Sequence, residues 1–223
     1  MSPPHEPIIR TERAIAAALA ATAAFTISDT LMKLSSSGLP TGQTIALRGV
    51  FGTIAMTVLA RAVGSVYLDR RLLSPAVALR TLCEIGSSIF FFLALYRMPI
   101  ANATAILQFL PLALTAASAV VLREAVGWRR WLAALVGLIG VLLIARPGTT
   151  AFSPAAILLL IAVGLVVARD LLTRQISNTV PTLTLTLMSA AAVAPSGFLL
   201  LPFETWVWPA TREIILLLAG GLF

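Results

Sequence analysis

Charge is scarce in this chain. Asp, Glu, Lys and Arg together make up 11% of its 223 residues, against roughly a quarter in an ordinary soluble domain. A soluble fold of this size needs more polar surface than that. Hydrophobic residues account for 59% and mean hydropathy is +0.97, so lipid is the implied solvent. Histidine is almost missing, since His5 in the polar N-terminal tail stands alone. Without a second imidazole, most metal sites and histidine-based catalysis are excluded, and neither a metal nor a cofactor is expected. The single Cys83 lies in an apolar segment, so there is no disulfide framework to read. The net charge is +7, yet the basic residues fall singly or in pairs between apolar runs. They read as topology signals rather than a phosphate-binding stripe, and no nucleic acid partner is expected. A secretory signal is also lacking. Met1 to Arg13 is polar with mixed charge, and no small-residue cleavage site follows the apolar run that opens at Ala14.

What is present is a succession of apolar runs. A helix spanning the hydrocarbon core needs about 20 mostly apolar residues. Such segments are expected at 14–34, 42–62, 77–97, 100–122, 129–146, 153–173 and 181–202, with an eighth opening near Arg212. Pro40, Pro75, Pro99, Pro154, Pro181 and Pro209 stand at segment entrances, where a missing N–H costs least. Trp128, Trp131, Trp206 and Trp208 fall at the expected interfaces. With the N-terminus inside, eleven Lys/Arg lie on the inner side and four on the outer, with Arg48 inside the second segment. That bias predicts a cytoplasmic N-terminus in a bacterial-type inner (plasma) membrane.

An internal repeat organises these segments. A shift of 141 residues lays the first segment on the sixth without a gap: Asp29 meets Asp170, Lys33 meets Arg174, Ser36 meets Ser177 and Pro40 meets Pro181. Shared hydrophobicity does not explain matched charges and a matched proline. Each repeat holds five helices, an odd number, so the second copy is expected to be inverted, a common construction of secondary transporters. The expected fold is an all-α polytopic transmembrane bundle of two inverted five-helix repeats. A tail occupies 1–13, the first repeat 14–147 and the second 148–223. Matching Pro209 to Pro75 puts Phe223 opposite Ile89, within a span. The expectation is therefore that the natural protein continues for roughly 60 residues, enough for two and a half more helices.

The stretch from Ala101 through Pro111-Leu112, Leu122-Arg123-Glu124, Trp128-Arg129-Arg130-Trp131, Gly137, Gly140 and Arg146-Pro147-Gly148 resembles the end of an EamA-type repeat. That repeat defines the drug/metabolite transporter superfamily. The resemblance covers the first repeat fully and the second to its third helix, and it is weak for substrate. It implies ten helices in two inverted halves, and a small organic metabolite or drug as solute.

Charged residues within the spans are the candidate site, since each costs about 2.5–3.5 kcal/mol at the bilayer centre on insertion scales. Glu84 lies a third of the way into the third segment and Arg48 near the middle of the second. They are the expected polar poles of substrate binding, joined by Ser87, Ser88, Asn102 and Gln108. Arg80, four residues before Glu84, could pair with it instead. Asp29 with Lys33 and Asp170 with Arg174 are i,i+4 pairs, read as gating or coupling groups or as struts. Glu124 is expected in an interfacial cluster with Arg123, Arg129 and Arg130. Polar stripes such as Thr22, Thr26, Asp29 and Lys33, or Thr104, Gln108, Pro111, Thr115 and Ser118, place each set on one helix face. Such stripes could line a cavity or bind helix to helix. Of Phe90, Phe91 and Phe92, at most one is expected to reach a cavity. The expected function is alternating-access transport of a small molecule through the bilayer. Proton coupling at Glu84 and a homodimer are compatible with it. The alternatives are a passive facilitator or channel, and an intramembrane enzyme.

Overall fold

The computed structural model describes residues 6–35, 38–63, 72, 74–124, 126–145, 153–176, 180 and 182–222. Among these the regular elements are all helical: α1 Glu6–Ser35, α2 Thr41–Val63, α3 Pro75–Leu95, α4 Ile100–Leu107, α5 Leu110–Val121, α6 Trp128–Ala145, α7 Pro154–Ile176, α8 Thr182–Ser196 and α9 Thr211–Leu222. Five stretches are long and apolar enough to cross a membrane: Thr41–Ala62, Pro75–Leu95, Ile100–Val121, Pro154–Ile176 and Leu183–Leu200. The expected first and fifth spans are helices as well, α1 and α6, though several of their side chains lie outside the described set. Ser36, Ser177 and Pro181, three members of the repeat, also lie outside it.

Local chemistry sets the breaks. Ser74 caps α3, its Oγ accepting from the Val77 amide, with Pro75 at the first helical position where its missing N–H is harmless. The expected fourth span is interrupted at Gln108–Phe109 into α4 and α5. Pro111 accounts for this, because it has no N–H for the Leu107 carbonyl. Beyond α5, Arg123 adopts φ 54°, a left-handed termination in a residue other than glycine. The expected seventh span ends as a 3-10 turn, Gly197–Phe203, with Pro195 just before it and Pro202 within it.

The bundle is built around three pairings: α3 on α7, α2 on α8, and α1 on α9. At the α2–α8 crossing a Cβ at Gly49 would fall 2.4 Å from the Ala194 Cα, and where α2 meets the 3-10 turn one at Gly42 would fall 2.6 Å from the Gly197 carbonyl. Glycine is required there because the two backbones touch. The buried core gathers Met32, Ile45, Phe92, Leu95, Ile106 and Leu159 from five helices. The outer face of α6 is different: Leu135, Val136, Ile139 and Leu143 are exposed, as a lipid-facing surface requires. Trp128, Trp131 and Trp208 are exposed, while Trp206 packs on Phe198 with ring centroids 4.8 Å apart.

Candidate functional site

Two adjoining cavities of about 220 and 230 Å³ lie near the middle of the spans. Arg48, Glu84 and Ser88 line both and form the partition. The first cavity adds Asp29 from α1, Ser87 and Phe91 from α3, Leu107 and Leu110 from the broken fourth span, and Arg169 from α7. The second adds Gly49 and Gly52 from α2, Thr186 and Ser189 from α8, and Gly220 and Gly221 from α9.

Glu84 does not pair with Arg80 or with Arg48. Its partner is Arg169, whose Nη1 donates to both carboxylate oxygens at 3.1 Å. The pairing follows from α3 lying on α7, which brings together residues that are 85 positions apart. Arg169 then turns its Nη2 to the adjacent Asp170, 2.8 Å from Oδ1. Arg169 is the site residue that sequence reasoning missed. It is one of the eleven basic residues that the inner-side bias accounts for, and its place next to the matched Asp170 is the available signal.

Arg80 is buried. Its Nε donates to Thr173 Oγ1 at 2.8 Å and its Nη1 to Ser189 Oγ, tying α3 to α7 and α8. Among the described residues Arg48 has no ion pair within 4 Å. Its Nη2 reaches Ser28 Oγ at 3.4 Å and its guanidinium stands 5.3 Å from the Phe92 ring centroid, a cation–π contact. Ser28 itself donates to the Gly220 carbonyl at 2.7 Å, linking α1 to α9.

The two expected i,i+4 pairs are not formed. Asp170 takes its cation from Arg169, and Arg174 lies 3.6 Å from Glu124 and donates to Ser118 Oγ at 3.2 Å. Arg174 and Glu124 are both about half exposed, so their attraction is weak. Glu124 thus pairs with α7, and the expected cluster with Arg123, Arg129 and Arg130 is not formed among the described residues. Lys33 donates to the carbonyls of Leu95 and Met98, the latter at 2.9 Å, so it caps the end of α3 where the helix dipole favours a cation. Asp29 is left facing the first cavity beside Arg48.

Asn102 and Gln108 are exposed and line neither cavity. The broken span turns Leu107 and Leu110 inward instead, and Gln108, one residue past Leu107, is rotated away. Ser87 is buried and donates to the Glu84 carbonyl at 2.9 Å. Phe91 and Phe92 both reach the first cavity, in edge contact at 5.3 Å, because it wraps around α3. Many stripe hydroxyls return to their own helices: Thr26 to the Thr22 carbonyl at 2.9 Å, Thr104 to Ala101 at 3.0 Å, Thr115 to Pro111 at 2.8 Å. Those bonds satisfy each hydroxyl without a ligand or a second helix.

A helical bundle with five such spans and ion pairs at its centre is a multi-pass membrane protein. Residues 12–146 match the EamA-like transporter family, and the chain belongs to that family. It is 31% identical over 140 residues to the riboflavin transporter of Vibrio cholerae, covering 63% of this chain and 47% of that one. It is 26% identical over 123 residues to the S-adenosylmethionine uptake transporter of Rickettsia prowazekii, covering 55% and 42%. The chain therefore spans about half the length of these curated relatives. A solved crystal structure aligns over 90% of this chain and 75% of its own with a TM-score of 0.63 at 24% identity, which shows a shared fold.

Proposed function

We propose that the protein carries a small organic metabolite across the plasma membrane, with the two central cavities as its path and two inverted halves as its moving parts. The observation that carries this reading is the partition itself: Arg48, Glu84 and Ser88 stand between two cavities walled by helices from both halves. Packing supports related halves. Exchanging α1 with α7, α2 with α8 and α3 with α9 returns the same three pairings. Such a design places a substrate site at the repeat interface and lets one half rock against the other. The names of the two relatives make riboflavin and S-adenosylmethionine the first solutes to try. The inner-side excess of Lys/Arg supports an N-terminus in the cytoplasm, so a reporter fused after Arg130 should read cytoplasmic.

The test uses purified protein in proteoliposomes and labelled solutes. A Cβ added at Gly52, on the second cavity, would meet no atom within 4 Å, and the same holds for Gly164 on the exposed face of α7. Gly52→Leu should plug the path and reduce uptake at least ten-fold, while Gly164→Leu leaves it unchanged. Equal uptake by both variants would mean that the second cavity is no part of the route.

A further inference from the structure

We infer that the groove at the start of α6, formed by Gly127, Trp128, Arg129 and Arg130, holds the headgroup of an anionic phospholipid. The inference needs α6 to lie in a membrane, and it is independent of what the protein carries. The groove is open and has a volume of about 390 Å³. Its two arginines are exposed, and neither has an ion pair among the described residues. The carboxylate nearest to them in the chain, Glu124, is turned to Arg174 at 3.6 Å.

A cation at the edge of a membrane is ordinary, and on its own it reports topology. Three features make this pair specific. The first is orientation. The Arg129 guanidinium stands 5.7 Å from the centre of the Trp128 ring, a contact that holds the group without consuming its N–H donors. Such a planar fork matches two oxygens of a phosphodiester. The second is depth. Trp128 is 71% exposed and Trp131, three residues on, is 41% exposed. Indole rings favour the level of the lipid headgroups, which is where a lipid phosphate lies.

The third is the apolar track that continues from the groove. Leu132, Leu135, Val136, Ile139 and Leu143 are exposed on α6, at the spacing of one helix face. Ala134 and Val141, on the other side, are buried. From Leu132 to Leu143 the helix rises about 17 Å at 1.5 Å per residue. That is roughly half of a ~30 Å hydrocarbon core, the depth that the chains of one leaflet reach. Groove and track meet between Trp128 and Leu132, one turn apart, so a single amphiphile can use both. A soluble phosphate would meet the arginines and leave the track bare. A zwitterionic lipid would cover the track, but its own cation would offset its phosphate. A lipid of net negative charge satisfies the arginines and the track together.

The test places the purified protein in phosphatidylcholine vesicles that contain a minor share of phosphatidylglycerol. In one preparation the phosphatidylglycerol carries brominated acyl chains, and in the other an equal amount of phosphatidylcholine does. Bromine quenches indole fluorescence on contact, and subtracting the signal of Trp128→Phe isolates Trp128. In the unaltered protein, phosphatidylglycerol should quench Trp128 as though enriched at least ten-fold over phosphatidylcholine. Arg129→Gln and Arg130→Gln should each lower that preference about five-fold, the effect of one basic residue beside an anionic surface. Both positions are exposed, so these variants should fold. Equal quenching by the two lipids in the unaltered protein would overturn the inference. So would a preference that survives the double variant, since the lipid would then sit elsewhere. Glycerol phosphate or inorganic phosphate, at an ionic strength matched with chloride, should leave the preference intact. If either abolishes it, the groove is a site for soluble anions and the lipid assignment falls. None of these readouts involves transport, so they stand apart from the carrier reading.

Discussion

Glu84 and Arg169 meet at 3.1 Å across the α3–α7 contact, whereas Arg48 and Asp29, on the same cavity, have no ion pair within 4 Å among the described residues. The first pair joins helices that are packed together along much of their length. The second belongs to α2 and α1, whose main partners are α8 and α9. Charges buried at a helix–helix contact are fixed by it and serve architecture. On the carrier reading proposed above, charges at the edge of a cavity are those that meet whatever enters. The same cost of placing a charge in a membrane therefore has two different explanations within a few residues of each other.

That contrast can be broken by substitution. The largest effect is expected for Arg169→Met, which leaves Glu84 and Asp170 without their cation. Removing one partner of a buried pair costs about 3–5 kcal/mol, measured here as lost stability in detergent. The double variant Arg169→Met with Glu84→Gln should recover a large part of it. If the double variant is no better than the single, the pair does not couple α3 to α7.

Glu84→Gln alone should cost less, about 1–3 kcal/mol, because Arg169 keeps Asp170 and the amide still accepts a hydrogen bond. If Glu84 also carries a proton, this variant abolishes gradient-driven uptake and spares exchange. Normal stability together with unchanged uptake would remove Glu84 from both roles.

Arg48→Gln sharpens the comparison from the other side. It deletes a cation that has no contact ion pair among the described residues, so the stability change should stay under about 1 kcal/mol while uptake is lost. A large destabilisation would place Arg48 with the structural charges and defeat the distinction. The smallest effect is expected for Asp170→Asn, under about 1 kcal/mol, since Arg169 retains Glu84 and Asp170 is partly exposed. A loss as large as that of Arg169→Met would make Asp170 the anchor of the cluster.

Several residues mark where sequence reading stopped. Arg48, Glu84, Ser87, Ser88 and Asp29 could be singled out because a polar group inside an apolar run is visible without a fold, and all five stand on the first cavity. Asn102 and Gln108 were singled out by the same rule and line neither cavity. The rule reads chemistry and not direction, and the break before Pro111 turned the face. Arg169 was overlooked because a cation near the inner end of a span reads as a topology signal. Lys33 was assigned to Asp29 by spacing, but the carbonyls of Leu95 and Met98 lay within its reach.

The sequence by itself determined the solvent, the helical class and the approximate spans. In lipid every backbone N–H and C=O must be satisfied within the segment, so a run of about 20 apolar residues has one stable solution wherever it occurs. That choice is local and can be read locally. The partners of the charges were decided only by tertiary structure. A guanidinium or carboxylate chooses among groups within a few ångströms, and packing sets which groups those are. Arg80, one turn from Glu84, bonded instead to Thr173 and Ser189. Arg169, distant in the chain, became the partner of Glu84 because α3 packs on α7.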